Sequence, residues 1–430
     1  MFKVLVVAYY FPPMGLNRVQ RTLRFVKYMN QFNWEPTILT KDAVPYFAYD
    51  SDLLDELVGK NINIIRVGRE VKYKLNTRFR NEEKKLPSEI IRKILNKLSK
   101  TFFIPDKKIF WAKKAFAKTE QLLKQNHFDA ILVPGPPFSV MHIFSQLKKK
   151  HNIPLIIDYR DLWHMGYFSY YPTPIHRLLN KKMEYNVLRA ADRIIVSNRK
   201  IKEKILNYFQ FLTFNDVVII TNGYDDEEFR KAKIIPKHSK KMILTFSGIF
   251  MVYNTPKYFL KAFKEISIEY PDIAKNIELH FLGFLRKENQ RLIRKLNLQE
   301  FVFDYGFVTH REAISKILSS DVLWMDINNK KNIDSVLPGK VYEYFATCKP
   351  IIGFVPDGTA RSVLQEYPAS YLCDPNDINE IKGTILRVYR HYKAGKFPKI
   401  DADFIYDFRS DYLTEKLTKE FQFLVKAEIH

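Results

Sequence analysis

Short apolar runs alternate with stretches in which apolar residues recur every three or four positions, and the alternation continues along the whole chain. Runs at 3–8, 36–39, 61–67, 129–133, 154–157, 193–196 and 217–221 have the length and bounding residues of strands, with helical patterns between most of them. Strands separated by helices imply a parallel sheet covered on both faces. A second series follows at 242–246, 278–282, 301–304, 322–325 and 350–354, again interleaved with helices. The pattern predicts one α/β architecture built twice. Between the two series, RKAKIIPKHSKK at 230–241 carries basic residues, one proline and little periodicity, and is the expected boundary. The domains are therefore expected at 1–229 and 230–404. Beyond the last strand, Tyr412, Leu413, Leu417, Phe421 and Leu424 mark an amphipathic helix within 405–430 that can pack on either domain.

Composition narrows the class. A chain of 430 residues, 46% hydrophobic and 15% aromatic, has apolar material for two cores and is not disordered. No apolar run approaches the roughly 20 residues that cross a bilayer as a helix. The opening MFKVLVVAYYFPP runs from a short apolar stretch into a double proline instead of a small-residue cleavage site, so no signal peptide is read and a cytoplasmic location is expected. Cys348 and Cys373 are too few for a disulfide framework or a thiolate metal site.

The formal net charge of +23 attracts anions of any kind. Nucleic acid ranks last among the candidate partners, because no stacking motif or known module accompanies the charge. The excess is dense over 72–124. There, Ile90, Ile91, Ile94, Leu95 and Leu98 fall on one helical face, and Arg92, Lys93, Lys97 and Lys100 largely on the other. Such a helix either packs on its own domain with its lysines outward or lies on an anionic membrane.

In doubly wound sheets, ligands bind outside the carboxyl ends of the strands, which directs attention to the loops that follow them. After the first strand, AYYFPPMGLNRVQR turns through Gly15 into a helix whose first turns carry Arg18 and Arg21, beside amides suited to a phosphate. After the fifth run, IIDYRDLWHMGYFSYY sets Asp158 and Asp161 to accept sugar hydroxyls or act as a base, and Arg160 and His164 to meet a phosphate. The competing reading makes Arg160 and the aspartates an internal ion-pair network, with Trp163 in the core. TNGYDDEEF is first of all a turn that closes the first sheet. In DINNKKNIDSVLPGKVYEYF, Pro338 and Gly339 lead into a helix carrying Lys340 and Glu343 one turn apart. The junction amides and Lys340 suit a diphosphate, and Glu343 suits the vicinal hydroxyls of a ribose. A plain exposed Lys/Glu pair is the alternative.

Together, YYFPPMGLNRVQR, PGPPFSVMH, DYRDLW, EYNVLRAADRIIVSN, TNGYDDEEF, FSGIF, YGFVTHREAISKILSSDVLW and PGKVYEYFATCKPIIGF resemble, in order and over nearly the whole chain, the family 4 retaining glycosyltransferases. The resemblance implies a GT-B fold: two Rossmann-like, doubly wound parallel-sheet domains facing a cleft, with acceptor on the first, donor on the second, and the terminal helix returning to the first. Glu343 matches the second of the family's two glutamates, which holds the donor ribose, and Gly15 matches the first-loop glycine beside the diphosphate. Three departures stand out. Ser335 replaces the first glutamate, SGIFMVYNTPK lacks the usual Arg and Lys after Gly248, and the first loop has one glycine where many relatives have two. Neutralising the diphosphate then falls to Lys340, Arg160, Arg18 or Lys257.

The expected catalytic residues are Asp161, Arg160 and His164. The expected donor-binding residues are Gly15, Arg18, Gly248, Ser335, Pro338, Gly339, Lys340 and Glu343. No metal or cofactor is expected, and the donor is a UDP- or GDP-type nucleotide-sugar acting as substrate. The expected acceptor is a saccharide or polyprenyl-linked saccharide in cell-surface polysaccharide synthesis, with peripheral contact to an anionic membrane at the inner face of the plasma membrane. A nucleotide-sugar epimerase of the same fold and a non-catalytic nucleotide-sugar-binding relative are the alternatives.

Overall fold

The computed structural model describes residues 1–15, 17–42, 49–68, 99–167, 169–237, 240–250 and 254–429. Most of the predicted basic helix, 90–98, lies outside them. The described chain divides into two compact units, Met1–Asn222 with Ser410–His430, and Gly223–Arg409.

In the first unit, β1 (Phe2–Ala8), β2 (Trp34–Lys41), β3 (Asn63–Val67), β4 (Ala130–Gly135), β5 (Leu155–Tyr159), β6 (Arg193–Val196) and β7 (Val217–Ile219) form a seven-stranded sheet in the order β3-β2-β1-β4-β5-β6-β7. Every pairing is parallel. Because side chains alternate across a strand, both faces of this sheet are apolar. Leu5, Val7, Ile131, Val133 and Ile157 bury one face against the helices Ile109–Gln125 and Phe138–Phe144. Val4, Val6, Leu132 and Ile156 bury the other against Val19, Leu23 and Val26 of the helix Asn17–Met29. The terminal helix Ser410–Ile429 shares that second face through Leu413, Leu417 and Phe421, and Phe421 meets Trp34 edge-on at 5.1 Å.

The second unit repeats the plan. Its strands are β8 (Met242–Ser247), β9 (Ile277–Leu282), β10 (Val302–Asp304), β11 (Val322–Asp326), β12 (Ile351–Phe354) and β13 (Ser370–Cys373), all parallel in the order β10-β9-β8-β11-β12-β13. Trp324 sits at its centre, stacked on Phe259 at 4.2 Å. The periodicity predicted five strands here and missed β13. Its four residues, SYLC, alternate half-buried and buried at the sheet edge, too short a pattern to separate from a loop.

Both units are doubly wound α/β sheets, and in each the strand order reverses beside the first strand, between β1 and β4 and between β8 and β11. A crevice opens at such a point because the loops leaving the two central strands turn in opposite directions.

Candidate functional site

In the second unit, the reversal is built around two glycines. Gly248 follows β8 with φ +129°, and Gly283 follows β9 with φ +123°. A Cβ on Gly283 would lie 2.2 Å from Gly248 O, so only glycine lets these two strand ends come so close.

The helix Lys340–Ala346 brings its side chains to the same place. Lys340 Nζ donates to Ser247 O at 3.1 Å and stands 3.5 Å from the centre of the Phe246 ring. Tyr344 Oη accepts from Ser247 N at 2.9 Å and donates to Trp324 O at 3.3 Å. The end of β8 is thereby fixed to the helix and to β11. At the end of β11, Asp326 is buried; its Oδ2 accepts from Thr255 N at 2.7 Å, while its Oδ1 accepts no hydrogen bond from the described residues.

Opposite charges thus meet at the reversal, with Asp326 buried and Lys340 half-buried. Burial pushes the Asp326 carboxyl up to about 7, against the pull of the Thr255 amide and Lys340. Burial likewise pushes Lys340 down to about 7, opposed by Asp326 and Glu343. Burial thus shifts the two groups toward each other, the carboxyl up and the ammonium down, so that a bound anion can influence which form prevails.

Glu343 lies one turn beyond Lys340, its side chain 14% exposed. Its Oε1 is 4.0 Å from His310 Nε2, which is itself 3.2 Å from Glu228 Oε2. His310 opens the helix His310–Leu318, which is started by a capping box between Thr309 and Glu312.

Ser335 is buried, and the neighbouring Asp334 O accepts from Thr359 N at 2.8 Å. Pro338 O and Gly339 O accept from Val341 N and Tyr342 N, each at 3.2 Å. The amides expected to face a diphosphate are to that extent already used, so the positive charge at this junction is mainly that of the Lys340 side chain.

In the first unit, the candidates separate into two groups. Arg160 donates to Asp158 Oδ2 at 2.7 Å, Arg18 O at 2.8 Å and Thr22 Oγ1 at 2.7 Å. Arg21 donates to both Asp158 oxygens at 3.2 Å and to Ile220 O at 2.8 Å. Burial alone would lift the Asp158 carboxyl, but Arg160 and Arg21 outweigh it and hold Asp158 below the usual carboxylate range. His164 is buried, with Nδ1 on Glu184 and its ring 4.4 Å from that of Tyr208. Arg160 and His164 were expected to meet a phosphate; the structure commits both to internal contacts. A buried carboxylate needs charged partners, and Asp158 and Glu184 claim the nearest ones.

Asp161 and Arg18 behave differently. They form an exposed pair 3.7 Å apart, with side chains 38% and 49% exposed, joining the loop after β5 to the first turn of the helix Asn17–Met29. Gly15 is half-buried beside Met14, which bridges to Tyr49.

The structure thus gathers Gly248, Lys340 and Glu343 in the second unit and Asp161 with Arg18 in the first. It adds Asp326 and His310, which sequence reasoning passed over. For Asp326, an acid closing an otherwise apolar strand was a usable signal; for His310 there was only its place at the start of the helix after β10.

Comparison with known proteins gives the family. Residues 75–228 match the model of Glycosyltransferase Family 4, and residues 226–399 match that of Glycosyl transferases group 1. The two matches meet at the passage between the units and together span residues 75–399.

The chain is a GT-B glycosyltransferase.

An uncharacterized glycosyltransferase of Haemophilus influenzae is 23% identical to it over 332 residues, 77% of this chain and 82% of the relative. Among solved structures, sucrose-phosphate synthase from Thermosynechococcus elongatus superposes with a TM-score of 0.67 at 12% identity, over 99% of this chain and 100% of that one. WaaG, a glycosyltransferase involved in lipopolysaccharide biosynthesis, superposes with a TM-score of 0.60 at 11% identity, over 97% and 99%. At these identities, the two structures speak for the fold. Among the described residues, no helix of this glycosyltransferase is long and apolar enough to cross a membrane.

Proposed function

We propose that this glycosyltransferase moves a sugar, with retention of configuration, from a UDP- or GDP-type nucleotide-sugar to a saccharide or polyprenyl-linked saccharide acceptor. Its setting is cell-surface polysaccharide synthesis at the inner face of the plasma membrane. The observation that carries this reading is the placement of Lys340 and Glu343, one turn apart on a helix that starts at the reversal of the second sheet.

In this reading, Glu343 accepts two hydrogen bonds from the ribose hydroxyls and Lys340 balances the diphosphate. Transfer leaves a nucleoside diphosphate, so the protein accelerates it chiefly by stabilising the charge that develops on that leaving group. Front-face attack by the acceptor hydroxyl needs no carboxylate nucleophile, in keeping with Ser335 at the first glutamate's position. Asp161, exposed and paired with Arg18, is the candidate for receiving the acceptor's proton. No metal or cofactor takes part.

Thermal shift with a panel of UDP-, GDP-, ADP- and dTDP-sugars tests the reading. One nucleotide class should raise Tm; if none does, a non-catalytic role replaces it.

The pH dependence of binding is a second check. In the free protein, Lys340 loses its proton near pH 7, and a bound diphosphate draws that proton back on, so binding above pH 7 takes up a proton. Deprotonation of Asp326 over the same range adds a negative charge and acts in the same direction. Donor affinity should therefore fall as pH rises from 7 to 9, by up to about tenfold per unit. Lys340→Arg, which stays charged, should flatten the slope measured by calorimetry.

A further inference from the structure

Exposed apolar side chains scattered singly over a protein surface need no explanation, whereas a contiguous group does. Phe102 is 75% exposed, Phe110 59%, Ile175 67% and Leu178 66%, with Leu179 and Tyr170 exposed as well. The segments that carry them are in contact. Phe103 and Phe110 meet edge-on at 5.7 Å, His176 Nε2 lies 3.0 Å from Thr101 O, and Lys100 Nζ lies 5.9 Å from the centre of the Tyr170 ring. On the helix Pro174–Ala190, Ile175, Leu178 and Leu179 have the spacing of a single face, while Asn180, Glu184, Val187 and Leu188 bury the opposite one.

The exposed charge on these two stretches is mostly basic. From 172 to 183, the sequence PTPIHRLLNKKM contains no carboxylate, and Arg177, Lys181 and Lys182 are exposed. From 99 to 119, the one carboxylate is Asp106, which accepts from Ser139 N at 3.1 Å and Ser139 Oγ at 2.8 Å. Lys107, Lys113 and Lys114 are exposed along the same stretch.

We propose that residues 99–114 and the first half of the helix Pro174–Ala190 form a face that docks on an anionic lipid surface. Phe102, Phe110, Ile175 and Leu178 enter the boundary between headgroups and acyl chains, and the surrounding lysines meet the phosphates. A second copy of the chain fits this face poorly, because a two-fold contact would set like charges against each other. The proposal rests on the membrane contact in the functional reading, but its assay needs neither donor nor turnover, so the two can fail separately.

The experiment is co-sedimentation with phosphatidylcholine vesicles, with and without phosphatidylglycerol. Wild type should sediment with the anionic vesicles and stay in solution with the neutral ones. The doubles Ile175→Asn/Leu178→Asn and Lys181→Glu/Lys182→Glu should each weaken partitioning by about tenfold or more, while leaving the nucleotide-sugar thermal shift unchanged. The proposal is overturned if wild type ignores anionic vesicles or if both doubles bind as wild type does. It also fails if sedimentation velocity without lipid reveals a dimer that Ile175→Asn/Leu178→Asn abolishes, since the face then belongs to a contact between copies.

Discussion

Glu343→Ala should lower kcat/KM by about a hundredfold or more, through loss of donor binding and with little change in Tm. Two hydrogen bonds to a charged acceptor contribute about 3 kcal/mol or more together, which sets that scale. The Glu343 side chain is 14% exposed and its Oε1 stands 4.0 Å from His310 Nε2, so Tm measured alongside the kinetics separates loss of donor binding from loss of the fold. Steady-state kinetics with the nucleotide-sugar chosen by thermal shift, together with calorimetric titration of the nucleoside diphosphate, provides the check. A variant that binds and turns over like wild type would remove Glu343 from the donor site.

Lys340→Met has the second large effect, and its two parts can be told apart. Turnover should fall by about a hundredfold or more, because the charge opposing the leaving diphosphate is gone. Stability should also fall, by as much as about 3–5 kcal/mol, since Asp326 is left buried without a cation. The pH dependence identifies the cause. The folded-state pKa of Asp326, already pushed up to about 7, rises further when Lys340 is removed, well above its unfolded value. A group whose folded pKa is raised stabilises the protein most below its unfolded pKa, and that contribution is lost as pH rises through the folded pKa. Urea unfolding should therefore show a larger deficit at pH 7, where wild-type Lys340 still holds much of its proton, than at pH 5, where Asp326 is neutral. Adding Asp326→Asn should recover much of the stability at pH 7 and none of the turnover. If the deficit is the same at both pH values, the buried pair is not its source.

Much of the fold was legible in advance because burial in a parallel sheet imposes a local rule. A run such as VLVVA or PLII is apolar on both faces whatever lies beside it, and the helical spacing between runs supplies the crossovers. The strand that was missed, β13, lies at an edge, where burial is incomplete and the pattern weak. Glu343 and Lys340 were legible as well, because one helical turn fixes their relation without any tertiary information.

The inward turn of Arg160 and His164 was not legible. Arg160 and Asp161 are neighbours in the chain with equally polar side chains, yet one is held by Asp158, Thr22 and Arg18 O while the other faces solvent. What separates them is the arrival of the helix Asn17–Met29, more than 130 residues earlier in the sequence, whose Arg21 and Thr22 complete a network around one buried carboxylate. The same holds at Asp326, whose shifted pKa depends on Lys340 and on burial among residues distant in sequence. By itself, the sequence determined the repeated α/β architecture and the Lys340–Glu343 spacing, since periodicity and helix geometry act over a few residues. Only the tertiary structure decided which charges are buried and which stay exposed, because the cost of burying a charge depends on partners that long-range packing brings to it.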